Sequence, residues 1–572
     1  MRLAFLGLTI ASLLPALPIQ AQRAPIETRQ GVVASAHELA SQAGIEILRD
    51  GGNAVDAAAA TGLALAVVYP IAGNLGGGGF MLIHLADGRD LAVDYRETAP
   101  AAAARNMYLG PDGRPVQGPG SSTLGWKASG VPGSVAGFAL AVEKYGSHKV
   151  TWGDICEPAR RLAAEGHIVS QDTADRFRSS EEILSQFDES KRIFLKAGAF
   201  LKPGEKWVQA DLANTLARLQ KHGPSEFYER ETARRIADAM AAHGGNITLA
   251  DLRNYRVVER TPLRGRYRGY DIVTMPPPSS GGVALLQMLG MLEAHDVASL
   301  GCNSASRYHL FAEVMKRAFR DRAEYLGDPD FIRVPVERLL DPAYIRGRML
   351  DFSPDRATPA AAVPPGLGEF VAKARRESNE TTHFSVVDSA GNAVSNTYTL
   401  NGAFGSGVTI PGTGILMNNQ MDDFTSAIGV PNAYGLIQGE ANAIEPGKRP
   451  LSSMTPTFVF KDGRAVLVTG SPGGPTIINT VLEVITNFID WGMDVQKAVD
   501  TPRFSEQWMP DVISYESGGL PPEAIAGLKE RGHTLRELSR QGDAETIAID
   551  PTSRLIQGAS DPRNPDAKAV GY

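Results

Sequence analysis

The chain has 572 residues, 43% hydrophobic and 21% charged, with a formal net charge of −7. That length exceeds one ordinary small core and suggests two structural units or one large interlocked one, with the composition of a soluble globular protein. A mildly acidic chain without a Lys/Arg-rich run has no electrostatic reason to bind nucleic acid, and two cysteines, Cys156 and Cys302, are no disulfide framework.

Residues 1–21 read as a secretory signal: Arg2 gives a positive start, an apolar run follows from Leu3 to about Leu17, Pro15 and Pro18 break it, and Ala21 is a small residue for cleavage. An uncleaved anchor is the alternative, although the run is short for one. No later stretch is long and apolar enough to span a bilayer, so the mature protein is expected to be periplasmic or secreted, with no stable membrane insertion. In such an oxidising compartment the two cysteines could pair; two separate buried thiols is the preferred reading. Ala36 to Arg49 has helical spacing and stops at Gly51-Gly52; Asn53 then caps an Ala-rich helix to about Val68. The run Gly73-Asn74-Leu75-Gly76-Gly77-Gly78-Gly79 precedes an apolar strand from Phe80 to Leu85. A phosphate loop would need Gly-Lys-Ser/Thr and a following helix, so close backbone packing is the expected role. Residues from about 150 to 350 read as helix-rich, with a sharp break at Pro276-Pro277-Pro278.

From Gly366 to Glu380 the chain is polar and reads as an exposed linker. Its character changes at Thr381. Thr381 to Val387 and Ala393 to Thr399 are strand-like runs joined by Asp388-Ser389-Ala390-Gly391-Asn392, a hairpin signal. With Val387 opposite Ala393, residue 385 faces 395, 383 faces 397 and 381 faces 399. Thr399 then lies beside Thr381 on one face, within hydroxyl–hydroxyl reach. An internal Thr needs a base; a Thr at a chain's N-terminus carries one, an α-amine of pKa about 7.7–8. A cut after Glu380 would expose Thr381 in that form, although threonines are also ordinary strand residues. The turn Gly470-Ser471-Pro472-Gly473-Gly474 could aim two N–H groups at an oxyanion. Asn418-Asn419-Gln420-Met421-Asp422-Asp423 offers acceptors for an ammonium group, Ser452-Ser453 paired hydroxyls, and Arg96 a bidentate grip on a carboxylate. Each of these has an ordinary reading as a surface strand or loop.

Taken together, Thr381-Thr382-His383-Phe384-Ser385-Val386-Val387-Asp388, the Asn-Asn-Gln-Met-Asp-Asp-Phe run to Phe424, Pro450-Leu451-Ser452-Ser453-Met454 and Gly470 to Gly474 resemble the γ-glutamyltransferases in order and spacing. Asp94 to Pro100 and Gly558 to Arg563 extend the likeness over nearly all of the mature chain. The resemblance implies an α/β N-terminal-nucleophile hydrolase fold, two stacked sheets between helical layers. It implies a precursor that cuts itself into a large subunit, 22–380, and a small catalytic subunit, 381–572, which remain together as a heterodimer. It implies that Thr381 is the nucleophile, that Thr399 orients it, and that Gly473 and Gly474 stabilise the oxyanion. Arg96, Ser452 and Ser453 would hold the α-carboxylate of a γ-glutamyl group, and Asn401, Gln420 and Asp423 its α-amine. Tyr434 resembles the tip of a lid loop. Gly402-Ala403 after Asn401 departs from the family's threonines. The implied donor is glutathione, the implied acceptors are water, amino acids and peptides, and no cofactor or metal is needed; His37-Glu38 is followed by Leu39-Ala40-Ser41 and makes no zinc motif. The competing readings are a cephalosporin (glutaryl) acylase, which would not need Asp423, and a non-catalytic exported binding protein, against which the intact Thr381, Thr399 and Gly-Gly set argues.

Overall fold

Period-two alternation fixes which way the central strands face. Along Thr382–Val387, Phe384 and Val386 enter one apolar core, while Val387 enters another on the opposite side. The computed structural model describes residues 23–196, 198–368, 381–426 and 439–572. The expected signal, the expected cut after Glu380 and Tyr434 lie outside the described residues.

The sheet strands in chain order are β1 (Ile26–Thr28), β2 (Val32–Ser35), β3 (Gly78–His84), β4 (Asp90–Tyr95), β5 (Val258–Arg260), β6 (Leu263–Tyr267), β7 (Tyr270–Thr274), β8 (Thr382–Val387), β9 (Ala393–Thr399), β10 (Thr457–Lys461), β11 (Arg464–Thr469), β12 (Thr546–Ile549), β13 (Ile556–Ala559) and β14 (Lys568–Gly571). They form two seven-stranded sheets, ordered β14-β2-β8-β9-β3-β4-β5 and β1-β13-β12-β11-β10-β7-β6. Every neighbouring pair is antiparallel.

Helices α1 (Glu38–Arg49) and α2 (Ala54–Val68) pack on the outer face of the first sheet, sharing a core with Met81, Ile83, Phe384 and Val394. Helices α3 (Gly281–Leu292), α4 (Ala305–Tyr325) and α5 (Thr476–Ile489) cover the second sheet through Ile272, Val459 and Leu467. A third core, with Phe80, Leu82, Val273, Phe458 and Val468, lies between the sheets. The architecture is therefore αββα, as the sequence led us to expect. Asn53 caps α2 in a reciprocal capping box with Asp56. All of α2 is buried, which small Ala side chains permit.

The glycine run before β3 is a packing device. A Cβ on Gly76 would come within 2.1 Å of the Leu416 carbonyl oxygen, and one on Gly77 within 2.1 Å of the Thr399 carbonyl oxygen. The helix-rich middle also contributes β5, β6 and β7, strands of three to five residues. Cys156 and Cys302 are both free thiols. No helix among the described residues is long and apolar enough to cross a membrane.

Candidate active site

The β8–β9 hairpin has the register read from its sequence: Val387 opposite Ala393, Ser385 opposite Ser395, His383 opposite Thr397. Thr381 stands just before β8, 6% exposed, and its hydroxyl donates to Thr399 Oγ1 at 3.3 Å. Thr399 is held in turn by the backbone N–H of Asn401, which donates to the same oxygen at 2.8 Å. That return bond requires a tight turn, and Asn401 adopts a φ of 79°, a left-handed conformation that Asn tolerates better than most side chains. The Asn401 side chain is tied by an Nδ2–H bond to the Asn419 carbonyl at 3.0 Å.

Behind Thr381 the sheets are joined by polar contacts. Ser385 Oγ donates to the Glu545 carbonyl at 2.7 Å and Ser395 Oγ to the Thr469 carbonyl at 2.9 Å. His383 is bonded to Thr397 Oγ1 at 2.9 Å and Ser385 Oγ at 3.1 Å. Burial pushes its imidazole pKa down to about 3, so it is neutral and serves as a spacer, not a base.

One cavity gathers Thr381, Thr399, Asn401, Arg96, Gln420, Asp423, Ser452, Ser453 and Gly474. Arg96 is no surface strand or loop residue: it follows β4 and is buried, 1% exposed. Its guanidinium donates to the carbonyls of Pro450 and Leu451, both at 3.3 Å, and pairs with the Asp423 carboxylate. Gln420 Nε2 donates to the same carboxylate oxygen at 2.6 Å. The cation and anion expected on opposite sides of a ligand thus touch each other, because a buried charge requires a partner. Burial pushes the Asp423 carboxyl up and the Arg96 guanidinium pulls it back. Glu97, buried beside Arg96, is pushed up to about 7 by burial.

Gly473 and Gly474 have φ of 130° and 55° and lead into α5, whose N-cap Pro475 offers no side chain to the helix end. Among the described residues, no acceptor takes either glycine N–H. Two open N–H groups at a helix N-terminus form a positive pole suited to an oxyanion. Gly473 and Thr381 also line a second cavity, with Pro472, Arg540 and Arg563.

The family model described as Gamma-glutamyltranspeptidase matches residues 40–571. The chain belongs to that family. It is 47% identical over 549 residues to the glutathione hydrolase proenzyme of Escherichia coli, covering 96% of this chain and 93% of that relative. Among solved structures, it resembles the cephalosporin acylase of Bacillus halodurans with a TM-score of 0.84, at 27% identity, over 98% of this chain and 99% of that one. It also resembles the Helicobacter pylori γ-glutamyltranspeptidase, with a TM-score of 0.57 at 40% identity, over 62% of this chain and 99% of that one. The chain is an enzyme of the γ-glutamyltranspeptidase family with an N-terminal-nucleophile hydrolase fold.

This γ-glutamyltranspeptidase family member has one charged cavity residue that the sequence reading missed. Arg322, on α4, donates through Nε to Ser280 Oγ at 2.8 Å and through Nη2 to Ser453 Oγ at 3.1 Å. An Ser453 oxygen that accepts from a guanidinium keeps its own O–H to donate. The stretch Lys316-Arg317-Ala318-Phe319-Arg320-Asp321-Arg322 looks like a solvated helix face, and nothing in its spacing separates Arg322 from its neighbours. Only the fold buries it, at 2% exposure.

Proposed function

We propose that Thr381, freed by a cut after Glu380, attacks the γ-carbonyl of glutathione and related γ-glutamyl compounds. The Thr381 α-amine takes the hydroxyl proton, a γ-glutamyl ester forms on Oγ1, and the amine half departs with that proton. Water or an amino-acid or peptide amine then resolves the ester. The observation that carries this reading is the Thr381–Thr399 hydroxyl contact at the wall of a cavity holding a matched cation and anion.

In this reading Gly473 and Gly474 supply the oxyanion N–H groups. Arg96, Ser452 and Ser453 bind the α-carboxylate; Asn401, Gln420 and Asp423 bind the α-amine. A zwitterion suits this pocket because its two charges replace the contacts of the Arg96–Asp423 pair with one another, so neither buried charge loses a partner. The large fragment would be 22–380 and the small one 381–572, with the protein exported and residues 1–21 removed. Tyr434 is proposed as a covering residue from the resemblance alone.

The test is N-terminal sequencing of the smaller fragment together with turnover of γ-glutamyl and glutaryl anilides. Thr381-Thr382-His383 as the first residues and a preference for the γ-glutamyl compound are expected, with Thr381→Ala uncut and inactive. Preference for the glutaryl anilide would favour the cephalosporin acylase reading; an uncut wild-type chain would remove the self-processing step.

A further inference from the structure

Helix α4 carries a second polar cluster that the chemistry at Thr381 does not use. His309 and Glu313 stand four residues apart on α4 and so share one face of it. His533 meets them from the chain that follows the helix Pro522–Glu530. Gly532 there has a φ of 93°, and the His533 N–H returns to the Leu528 carbonyl at 3.1 Å, a tight helix ending that turns the chain back. One ring nitrogen or carboxylate oxygen from each of the three residues lies within 4.8 Å of the other two, and all three residues are buried. None of them lines either cavity at Thr381.

The hydrogen bonds decide which atoms can bind an ion. His309 Nε2 lies 2.7 Å from the Ser353 carbonyl oxygen, which only accepts, so the neutral ring carries its proton there. His309 Nδ1 is left with a lone pair, and it faces His533 Nε2 at 2.7 Å. An imidazole whose far nitrogen donates to a backbone carbonyl is the usual arrangement of a metal-binding histidine. Glu313 accepts the Thr358 N–H at 2.9 Å through Oε1 and the Arg317 Nη1–H at 2.6 Å through Oε2, which leaves a lone pair on each oxygen. The neighbouring cations have anions of their own: Lys316 pairs with Asp511 at 2.9 Å and Arg317 with Asp351 at 2.8 Å.

We propose that His309 Nδ1, His533 Nε2 and a Glu313 carboxylate oxygen form a structural site for a divalent transition-metal ion of the zinc class, with water completing a tetrahedron. Two imidazoles and one carboxylate suit zinc and exclude calcium and magnesium, which take oxygen ligands. Binding moves the His533 ring proton from Nε2 to Nδ1, so the ring stays neutral and both facing nitrogens offer lone pairs. Metal–nitrogen bonds of about 2.0 Å place tetrahedral ligand atoms roughly 3.3 Å apart, so the two nitrogens need to spread only slightly. His309 and Glu313 precede residue 380 and His533 follows it. The ion would therefore clamp the two fragments of the proposed cut to each other, away from the reacting atoms. The site stands whether or not the γ-glutamyl reading does.

The test adds cobalt(II) chloride to purified, EDTA-stripped enzyme and reads its visible spectrum. Wild type is expected to show the strong bands of a tetrahedral ion, which zinc(II) chloride then bleaches. His533→Gln keeps an N–H to donate to His309 but has no imidazole, and it is expected to bind cobalt at least about tenfold more weakly. Zinc should raise the Tm of wild type and leave that of His533→Gln unmoved. Absence of tetrahedral bands from wild type, or bands of equal strength in the variant, overturns the proposal. X-ray absorption on zinc-loaded wild type needs no variant: a shell containing two imidazoles supports the site, and an all-oxygen shell overturns it.

Discussion

Asp423 would couple the proposed recognition of an α-amine to burial. Its carboxylate, 13% exposed, meets both Arg96 and Gln420 Nε2. Removing one partner of a buried hydrogen-bonded charge pair costs about 2–5 kcal/mol. Asp423→Asn is therefore expected to lower kcat/KM for a γ-glutamyl anilide by roughly 30-fold or more, mainly through KM. A glutaryl anilide, which lacks the α-amine, should lose less; equal losses on both in steady-state assays would assign the effect to disturbance of Arg96. At this scale the sequence was readable wherever function demanded an unusual residue run. Thr381 and Thr399 could be paired by hairpin arithmetic, and Asn401, Gln420, Asp423, Ser452 and Ser453 by motif. Arg322 could not, because its identity as a pocket residue depends on α4 lying against Ser280 and Ser453, which are far from it in sequence. The direct Arg96–Asp423 contact was equally invisible, since 327 residues separate the partners.

The hairpin works as a unit because the second sheet supports it from behind. Gly470, one residue beyond β11, lies against the His383 ring, and a Cβ there would come within 2.3 Å of Cε1. His383 has no easy retreat, being held by Thr397 and Ser385. Gly470→Ala is expected to destabilise the protein by about 1–3 kcal/mol, the usual range for overpacking, and to lower Tm in calorimetry. Displacement of His383 would propagate to Thr381, two residues away on the same face, so activity should fall further than stability alone explains. The glycine runs were legible as punctuation but not as contacts. The Gly76–Gly79 run was correctly assigned to close packing, whereas which backbone it approaches, that of Leu416, Thr399 and Tyr95, depends on tertiary structure. Strands β5 to β7, three to five residues each, were absorbed into a helix-rich reading because runs so short carry too few residues for a period-two pattern to stand out.

Across the whole molecule, buried ionisable groups tie stability to pH. Burial raises the Glu506 carboxyl to about 8, with Lys316 acting in the opposite direction. The folded state then holds a proton that the unfolded state releases near its ordinary value of 4.5. The fold consequently loses stability as pH rises from about 4.5 to 8. Glu506→Gln removes that loss, so the Tm of the variant relative to wild type should climb between pH 5 and pH 8; a constant difference across that window would contradict it. The histidines act with the opposite sense. His37 and His167 are lowered to about 4 by burial, so they withdraw stability as pH falls below their usual 6.5. Both sheets are woven from chain on either side of residue 380: β8 pairs with β2, β9 with β3, and β7 with β10. The two extremities of the described chain also meet, since β14 pairs with β2 and the Tyr572 N–H donates to the Gly31 carbonyl at 3.3 Å. A circular permutant that joins residue 572 to residue 23 through a short linker, and opens at Thr381, would preserve every one of those strand pairings. Once its initiator methionine is trimmed, such a chain would emerge with the reactive threonine already first, and catalytic turnover is expected from it without any peptide bond having to break within its own backbone.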